Sequence, residues 1–255
     1  METFRGEAYV ISRTPLTESS FVVTLFTRDW GVIKAVAKGA RRLKSPFRGT
    51  LEPFNRVAVL VARKEHSSLG QIRSSDLVDG ALDLYESWPR AAALAAMQEV
   101  LQRGLPEGSQ EEDTFRLVAT AIQNMREGVS PFLVWLYFGV WFLRLHGVMP
   151  SPDRCVGCGA DPRPLLYEAG HAGWLCDSCR GDSKGQGQPV GPKAERMLRQ
   201  ILKLPINGLP PESGRGQAAW ELRSMVYLAL AAFLGRPLAT RQALENAYGD
   251  DARSD

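Results

Sequence analysis

The sequence predicts an α+β chain: an N-terminal β-barrel of OB-fold type, then an α-helical bundle interrupted by a four-cysteine zinc module. Three observations predict it. Five short strand-forming runs crowd into residues 1–80. After Ala81 the apolar period changes from that of strands to that of helices. All four cysteines fall between Cys155 and Cys179.

The strands come first. Ala8–Ser12 is short and β-branched, and Ser20–Thr27 is rich in strand formers. Arg28-Asp29-Trp30-Gly31 reads as a turn, followed by a strand over Val32–Lys38. There Val32, Lys34, Val36 and Lys38 share one face and Ile33, Ala35 and Ala37 the other. Arg56–Ala62 makes a fourth strand and Gly70–Ser74 a weaker fifth. An OB-fold has five strands; an SH3-like barrel or a piece of β-sandwich gives nearly the same pattern.

Helices follow. Pro89 opens one with Leu94, Met97, Val100 and Leu101 on a single face. Ser109 with Glu112 reads as a capping box, ahead of a stripe of Phe115, Val118, Ala119, Ile122 and Met125. Pro131–His146 is apolar all round, as suits the middle of a bundle. Beyond the cysteines, helices are expected from Pro192, over Ala218–Leu234 and over Thr240–Tyr248, with a Pro/Gly loop from Pro205 to Gly216. The expected domains are 1–80 for the barrel, 81–150 with 190–248 for the bundle, 151–189 for the zinc insert and 249–255 for a frayed tail.

Charge narrows the function. The chain carries 31 Lys/Arg against 28 Asp/Glu, but residues 1–80 alone carry 13 against 8. An anionic partner is expected at that end. The longest apolar stretch, Gly128–Leu143, falls short of the roughly 20 residues of a spanning helix. No basic n-region with an apolar core opens the chain, so a cytoplasmic protein is expected.

Cys155-Val156-Gly157-Cys158 and Cys176-Asp177-Ser178-Cys179 form two C-x2-C pairs at the spacing of a four-cysteine zinc site. Each pair bends the chain so that two thiolates face one point. The segment between them, Leu165–Leu175, reads as a hairpin that returns the second pair to the first. Two disulfides would need an oxidising compartment. A thioredoxin-like site needs a neighbouring βαβ unit, and a deaminase needs an H-x-E that His66, His146 and His171 do not begin. Four thiolates also close the coordination shell, so one structural Zn2+ is expected.

Lys34, Lys38, Arg41, Arg42, Lys44 and Arg48 lie within 15 residues without an acidic neighbour. Gly39, Ser45, Pro46 and Gly49 make most of that segment a loop. Trp30, Phe47, Phe21 and Tyr9 lie near it. Cations track phosphates and exposed rings stack bases, which together favour nucleic acid. The other reading is a solvated loop with its rings turned into the barrel. No phosphate loop, G-x-G-x-x-G, G-x-S-x-G or H-E-x-x-H appears, and no catalytic activity is expected. Asp76, Asp79 and Asp83 suggest a nuclease only weakly; acidic residues there suit a helix start.

Several segments then combine in order: the Gly6–Arg13 and Thr24–Thr27 strands with the Gly31 turn, Lys38-Gly39-Ala40-Arg41-Arg42 with Lys44-Ser45, and Leu51-Glu52-Pro53-Phe54. The most specific is Gly147-Val148-Met149-Pro150 running into Cys155-Val156-Gly157-Cys158-Gly159. In this order they resemble the RecO family of bacterial recombination mediators over nearly the whole chain. The resemblance implies DNA repair through homologous recombination, with binding of single- and double-stranded DNA and annealing of complementary strands. It implies help, with RecR and in some settings RecF, in loading RecA onto DNA coated by single-strand binding protein (SSB). Binding of the acidic, apolar SSB tail and a place at the nucleoid are also implied, without nucleotide hydrolysis. By transfer, the six basic residues become DNA-contact candidates. The tail pocket is expected as a basic-rimmed apolar groove on the bundle, with Arg116, Arg126 and Arg144 as candidates. Two other classes fit the residues: a zinc-ribbon transcription or translation factor that does not anneal DNA, and a zinc hydrolase whose fourth position opens.

Overall fold

The computed structural model describes residues 2–65, 67–181, 187–210 and 213–248. His66, Lys184 and the expected tail 249–255 lie outside them. The chain forms two compact units, Met1–Ser87 with Leu101–Arg116 and Trp88–Val100 with Leu117–Asp255. Residues 81–87 and 101–116, expected in the bundle, fall in the barrel's unit.

The first unit is built on β1 (Glu2–Pro15), β2 (Phe21–Thr27), β3 (Gly31–Ala37), β4 (Arg56–Arg63) and β5 (Leu69–Asp79). They close in the order β1-β2-β3-β5-β4, with β3 parallel to β5. This is the Greek-key closure of an OB-fold. Inward residues alternate along the strands: Ala8 and Val10, Val23 and Leu25, Ala35 and Ala37, Val57, Val59 and Val61 fill the barrel. β1 is longer than its β-branched centre because it pairs with β2 and β4 both, with a register shift between Val10 and Ser12. β5 also runs further than expected, so Asp76 and Asp79 lie in a strand rather than at a helix start.

The segment between β3 and β4 is a run of turns whose Phe47 and Leu51 enter the barrel core. Asn55 holds it there. Its side-chain amide donates to the carbonyls of Gly49 (2.9 Å) and Thr50 (3.0 Å), while its Oδ1 accepts from the Ala81 N–H at 2.9 Å. Asn55 is itself buried. Asn55→Ala leaves these backbone groups unpaired and is expected to lower stability by about 2 kcal/mol. Urea unfolding checks this; an unchanged midpoint would show that the amide does not fasten the loop.

The helices begin with a short 3-10 turn, Leu82–Glu86, then α1 (Trp88–Gly104), α2 (Glu112–Arg126) and α3 (Pro131–Leu145). Pro89 sits in the first turn of α1, where its missing N–H costs nothing. The Ser109–Glu112 capping box is not what starts α2. The helix begins at Glu112 itself, and the Thr114 hydroxyl donates to the Glu111 carboxylate at 3.4 Å. α3 buries residues on every side, including Trp135, Phe138 and Phe142. Next come β6 (Leu166–Glu168), β7 (Gly173–Leu175), the short α4 (Asp177–Arg180) and β8 (Gly187–Pro189). α5 (Pro192–Ile201), α6 (Gly216–Leu234) and α7 (Arg241–Tyr248) complete the chain. α3, α5 and α6 pack together in the second unit. No helix among the described residues is long and apolar enough to cross a membrane.

Candidate metal centre and nucleic-acid interface

The metal centre is assembled from two tight corners. The first is closed by the Cys155 N–H donating to Ala160 O at 2.7 Å and the Gly159 N–H to Cys155 O at 2.9 Å. The second is the start of α4, where the N–H groups of Cys179 and Arg180 donate to Cys176 O. β6 and β7 pair antiparallel, so the expected hairpin returns Cys176 to Cys155. β8 adds a third strand, which the sequence pattern did not announce. All four sulfurs lie within 4.8 Å of one another, with Cys158 and Cys176 Sγ 3.6 Å apart. The edge of a tetrahedron with 2.3 Å metal–sulfur bonds is about 3.8 Å, so the donor set suits a single ion. Gly157 packs closely on the cluster: a Cβ there would stand 3.1 Å from Cys179 Sγ, tighter than an ordinary contact.

The thiols are electrostatically prepared. Burial opposes ionisation of Cys155, yet N–H groups of Cys176, Cys158 and Gly157 outweigh it and bring the thiol down to about 6. Hydrogen bonding to Cys158, then to Cys176 and Cys155, pushes Cys179 up to about 12. Backbone N–H groups thus favour a thiolate at Cys155, the form in which cysteine binds a metal. His171 is not among the ligands. It is exposed on the hairpin turn, 2.6 Å from the carboxylate of Glu168, whose pKa that contact lowers.

The module is fastened within the second unit. Tyr167 and Trp174 meet edge to face at 5.4 Å, both fully buried. The Tyr167 hydroxyl donates to Val148 O and Trp174 Nε1 to Pro150 O, each at 3.0 Å. Those acceptors belong to the Gly147–Pro150 segment that leads into the first cysteine corner.

The basic residues divide. Lys38, Arg41, Arg42, Lys44 and Arg48 all sit exposed on the loop after β3. Phe47 and Leu51 are buried while all five cations stay at the surface. Arg41 ties the loop to the β1–β2 connection, its N–H donating to Ser19 O at 3.0 Å and its guanidinium to Thr17 O at 2.6 Å. It also lies 5.7 Å from the centre of the Phe21 ring. Among the described residues none of these five cations forms an ion pair. Lys34 stands apart on β3, its ammonium 2.5 Å from the Glu107 carboxylate.

The rings divide too. Phe47 is in the barrel core, and Tyr9 is buried on the other side of β1 against Phe115, centroids 4.9 Å apart. Neither is available to a base. Phe21 is half-buried between Arg13 and Arg41. Among these four, Trp30 alone is exposed, at 37% of the residue. The sequence reading did not single out Asn55 and Leu51 as the residues that hold the basic loop; the signal for both lay in Leu51–Asn55, where an apolar residue precedes a turn-forming Glu-Pro.

In the second unit a cleft of about 280 Å³ opens beside Arg144. Trp141, Leu202 and Pro152 supply apolar walls, and Arg144, Arg199 and Lys203 line it. Arg199 is bonded to Asp153 and Glu195, while Arg144 donates to Met149 O at 3.3 Å. Arg116 is exposed and 3.7 Å from Asp113; neither it nor Arg126 borders this cleft.

Comparison with known proteins agrees along the chain. Residues 1–81 match the family described as Recombination protein O N terminal, and residues 85–242 that described as Recombination protein O C terminal. The DNA repair protein RecO of Koribacter versatilis is 34% identical over 248 residues, covering 94% of this chain and 98% of that protein. The DNA repair protein RecO of Geobacter metallireducens is also 34% identical, covering 93% of this chain and 95% of its own. That of Rubrobacter xylanophilus is 30% identical over 219 residues, covering 85% and 86% respectively. With both family matches together spanning nearly the whole chain, from the five-stranded barrel through the helical unit, the chain belongs to the RecO family of DNA repair proteins.

Proposed function

We propose that the chain is a recombination mediator. It binds single- and double-stranded DNA through Lys38, Arg41, Arg42, Lys44 and Arg48, with Lys34 joining where DNA displaces it from Glu107. It anneals complementary strands and, with RecR and in some settings RecF, helps RecA load onto SSB-coated DNA. It performs no catalysis of its own and works at nucleoid DNA in the cytoplasm. One observation carries the reading: five cations without an ion pair among the described residues, on a loop pinned to the barrel end by Phe47, Leu51 and Asn55. A pinned loop offers phosphates a preorganised cationic surface, and phosphate contacts carry no base code.

Annealing works in two ways on such a surface. Cations screen both backbones, and loose binding lets the strands slide until they pair. The cysteine cluster holds one structural zinc ion. When bound, it locks the two corners of a module too small to bury a core of its own. The SSB tail is acidic and apolar, and the Arg144 cleft combines Trp141 and Leu202 with Arg144 and Lys203, the chemistry to receive it.

The test is annealing of complementary oligonucleotides, bare, coated with SSB, and coated with tailless SSB. Bare strands are expected to anneal, coated strands to anneal only when the tail is present. Arg144→Glu is expected to mimic loss of the tail and spare bare strands. Equal annealing with tailless SSB would remove the tail from the mechanism; no annealing of bare strands would remove the mediator reading.

A further inference from the structure

We propose that a cavity beside Trp30, separate from the basic loop, receives a single unpaired nucleobase. The proposal rests on the DNA-binding reading above and gives that reading a second, chemically different contact. β3 carries both features at its two ends. Its Ala37 end leads into the basic loop, and its Gly31 end carries Trp30; its seven residues separate them by about 20 Å.

The Trp30 turn is built rather than loose. The Trp30 N–H donates to Thr27 Oγ1 at 3.0 Å, and that buried hydroxyl donates to Gly31 O at 2.9 Å. Gly31 has a φ of 59°, and a Cβ there would stand 2.0 Å from the Ser109 carbonyl oxygen. Trp30 meets Phe4 edge to face at 5.6 Å, which fixes the plane of the indole. The residue nonetheless stays 37% exposed, and it lines a cavity of about 270 Å³. That is below the roughly 300–1,000 Å³ of drug-sized ligand sites, room for one base rather than a run of them.

The other walls say what kind of group enters. Two ion pairs line the cavity, Lys34–Glu107 and Glu2–Arg63, each 2.5 Å, and Asp29 adds a third carboxylate. Three acids against two cations leave the lining with a net charge of −1. A phosphate is disfavoured there, unlike on the loop. A neutral aromatic ring is not. It stacks on the indole, and its amino or ring N–H groups donate to carboxylate oxygens that the cations leave partly open. Phosphates on the loop with a base in the cavity would make binding of an unpaired strand differ in kind from binding of a duplex, whose bases stay stacked.

The experiment compares a short single-stranded oligonucleotide with the same backbone made abasic throughout, at several salt concentrations, for the whole protein. The wild type is expected to bind the base-bearing strand about tenfold tighter, the gain from one stacked base. Trp30→Ala is expected to erase that ratio while leaving the salt dependence as it was. Trp30→Phe keeps a ring and is expected to restore part of the ratio, which separates stacking from misfolding. Arg41→Ala/Arg42→Ala/Lys44→Ala is expected to do the reverse, keeping the ratio and flattening the salt dependence. A ratio unchanged in Trp30→Ala, or equal weakening on both strands, overturns the proposal. Should neither strand bind the wild type, the DNA-binding reading fails. The cavity is then decided by the fluorine resonance of Trp30 in protein carrying 5-fluorotryptophan, assigned through Trp30→Phe. A shift on adding adenosine supports the base site. A shift with acetyl-arginine amide and none with adenosine makes it a site for a cationic side chain and overturns the assignment.

Discussion

Cys176→Ser is expected to release the metal and to lower the thermal midpoint of the second unit by about 10 °C or more. Metal binding in such a module is folding free energy, and a structural ion contributes many kcal/mol. Each kcal/mol moves the midpoint of a unit this size by about 2–4 °C. The local core shows why nothing else can substitute. Among the described residues, the apolar cluster at the cysteines holds little beyond Cys155, Leu175, Cys176 and Cys179. Three strands of three residues each cannot stand alone. Tyr167 and Trp174 fasten the sheet to Val148 and Pro150, so loosening the corners exposes two large buried rings as well. Elemental analysis of protein purified under reducing conditions should find one zinc per chain in the wild type and in His171→Ala, and none in Cys176→Ser. His171 is the control because it bonds Glu168 rather than the cluster. Full metal content in Cys176→Ser, or an unchanged midpoint without metal, would refute the structural role.

The cysteine cluster was the most legible part of the sequence, because two C-x2-C pairs fix local geometry on their own. A four-residue corner needs no knowledge of distant residues. The barrel was legible for the same reason where alternation held, as in Ile33, Ala35 and Ala37 of β3. It was hidden where alternation broke. At Ala8-Tyr9-Val10-Ile11 all four residues are buried, because the register shift near Ile11 and the packing of Tyr9 on Phe115 cover both faces of β1. Sequence spacing gives no hint that residues 101–116 join the barrel's unit. That contact spans about a hundred residues, and it is what withdraws Tyr9 from any ligand. The α2 start failed for a subtler reason. Ser109 and Glu112 have the spacing of a capping box, but Ser109 is held in the crossing at Gly31, where its carbonyl meets the turn. Tertiary packing thus moved the helix start to Glu112.

Charge reads well from sequence in number and poorly in position. The run from Lys34 to Arg48 looked like one surface. In the fold, Phe47 and Leu51 turn inward and five cations turn outward, while Lys34 is drawn to Glu107, 73 positions away. Its partner is invisible at the level of local spacing.

Replacing Arg41, Arg42 and Lys44 together with Ala is expected to weaken DNA binding by about two orders of magnitude at low salt and to flatten its salt dependence. Each phosphate neutralised adds about 0.7 to the salt slope on single strands and about 0.9 on duplex. If four of the five loop cations contact phosphates, wild-type affinity falls about 50-fold on single strands and about 150-fold on duplex between 50 and 200 mM salt. Removing three contacts takes about 2 from the single-strand slope and about 2.7 from the duplex slope. Annealing needs both strands held and screened, so it should fall at least as steeply as binding. The fold should survive. Phe47, Leu51 and Asn55 pin the loop; of the three side chains replaced, Arg41's bonds Thr17 O, while the backbone bonds of Arg41 to Ser19 and of Arg42 to Gly39 and Ser45 are kept by Ala. Lys34→Ala should cost less than any loop cation, because its charge is already met by Glu107. A Tm and zinc content equal to wild type show that the loss is one of contact rather than of folding. Wild-type affinity and slope in the triple variant would put the phosphate surface elsewhere, with the zinc module's Arg154, Arg163 and Arg180 as the next cations to test. Arg163 is the weakest of those, since Asp161 already holds its guanidinium at 2.9 Å through Nε.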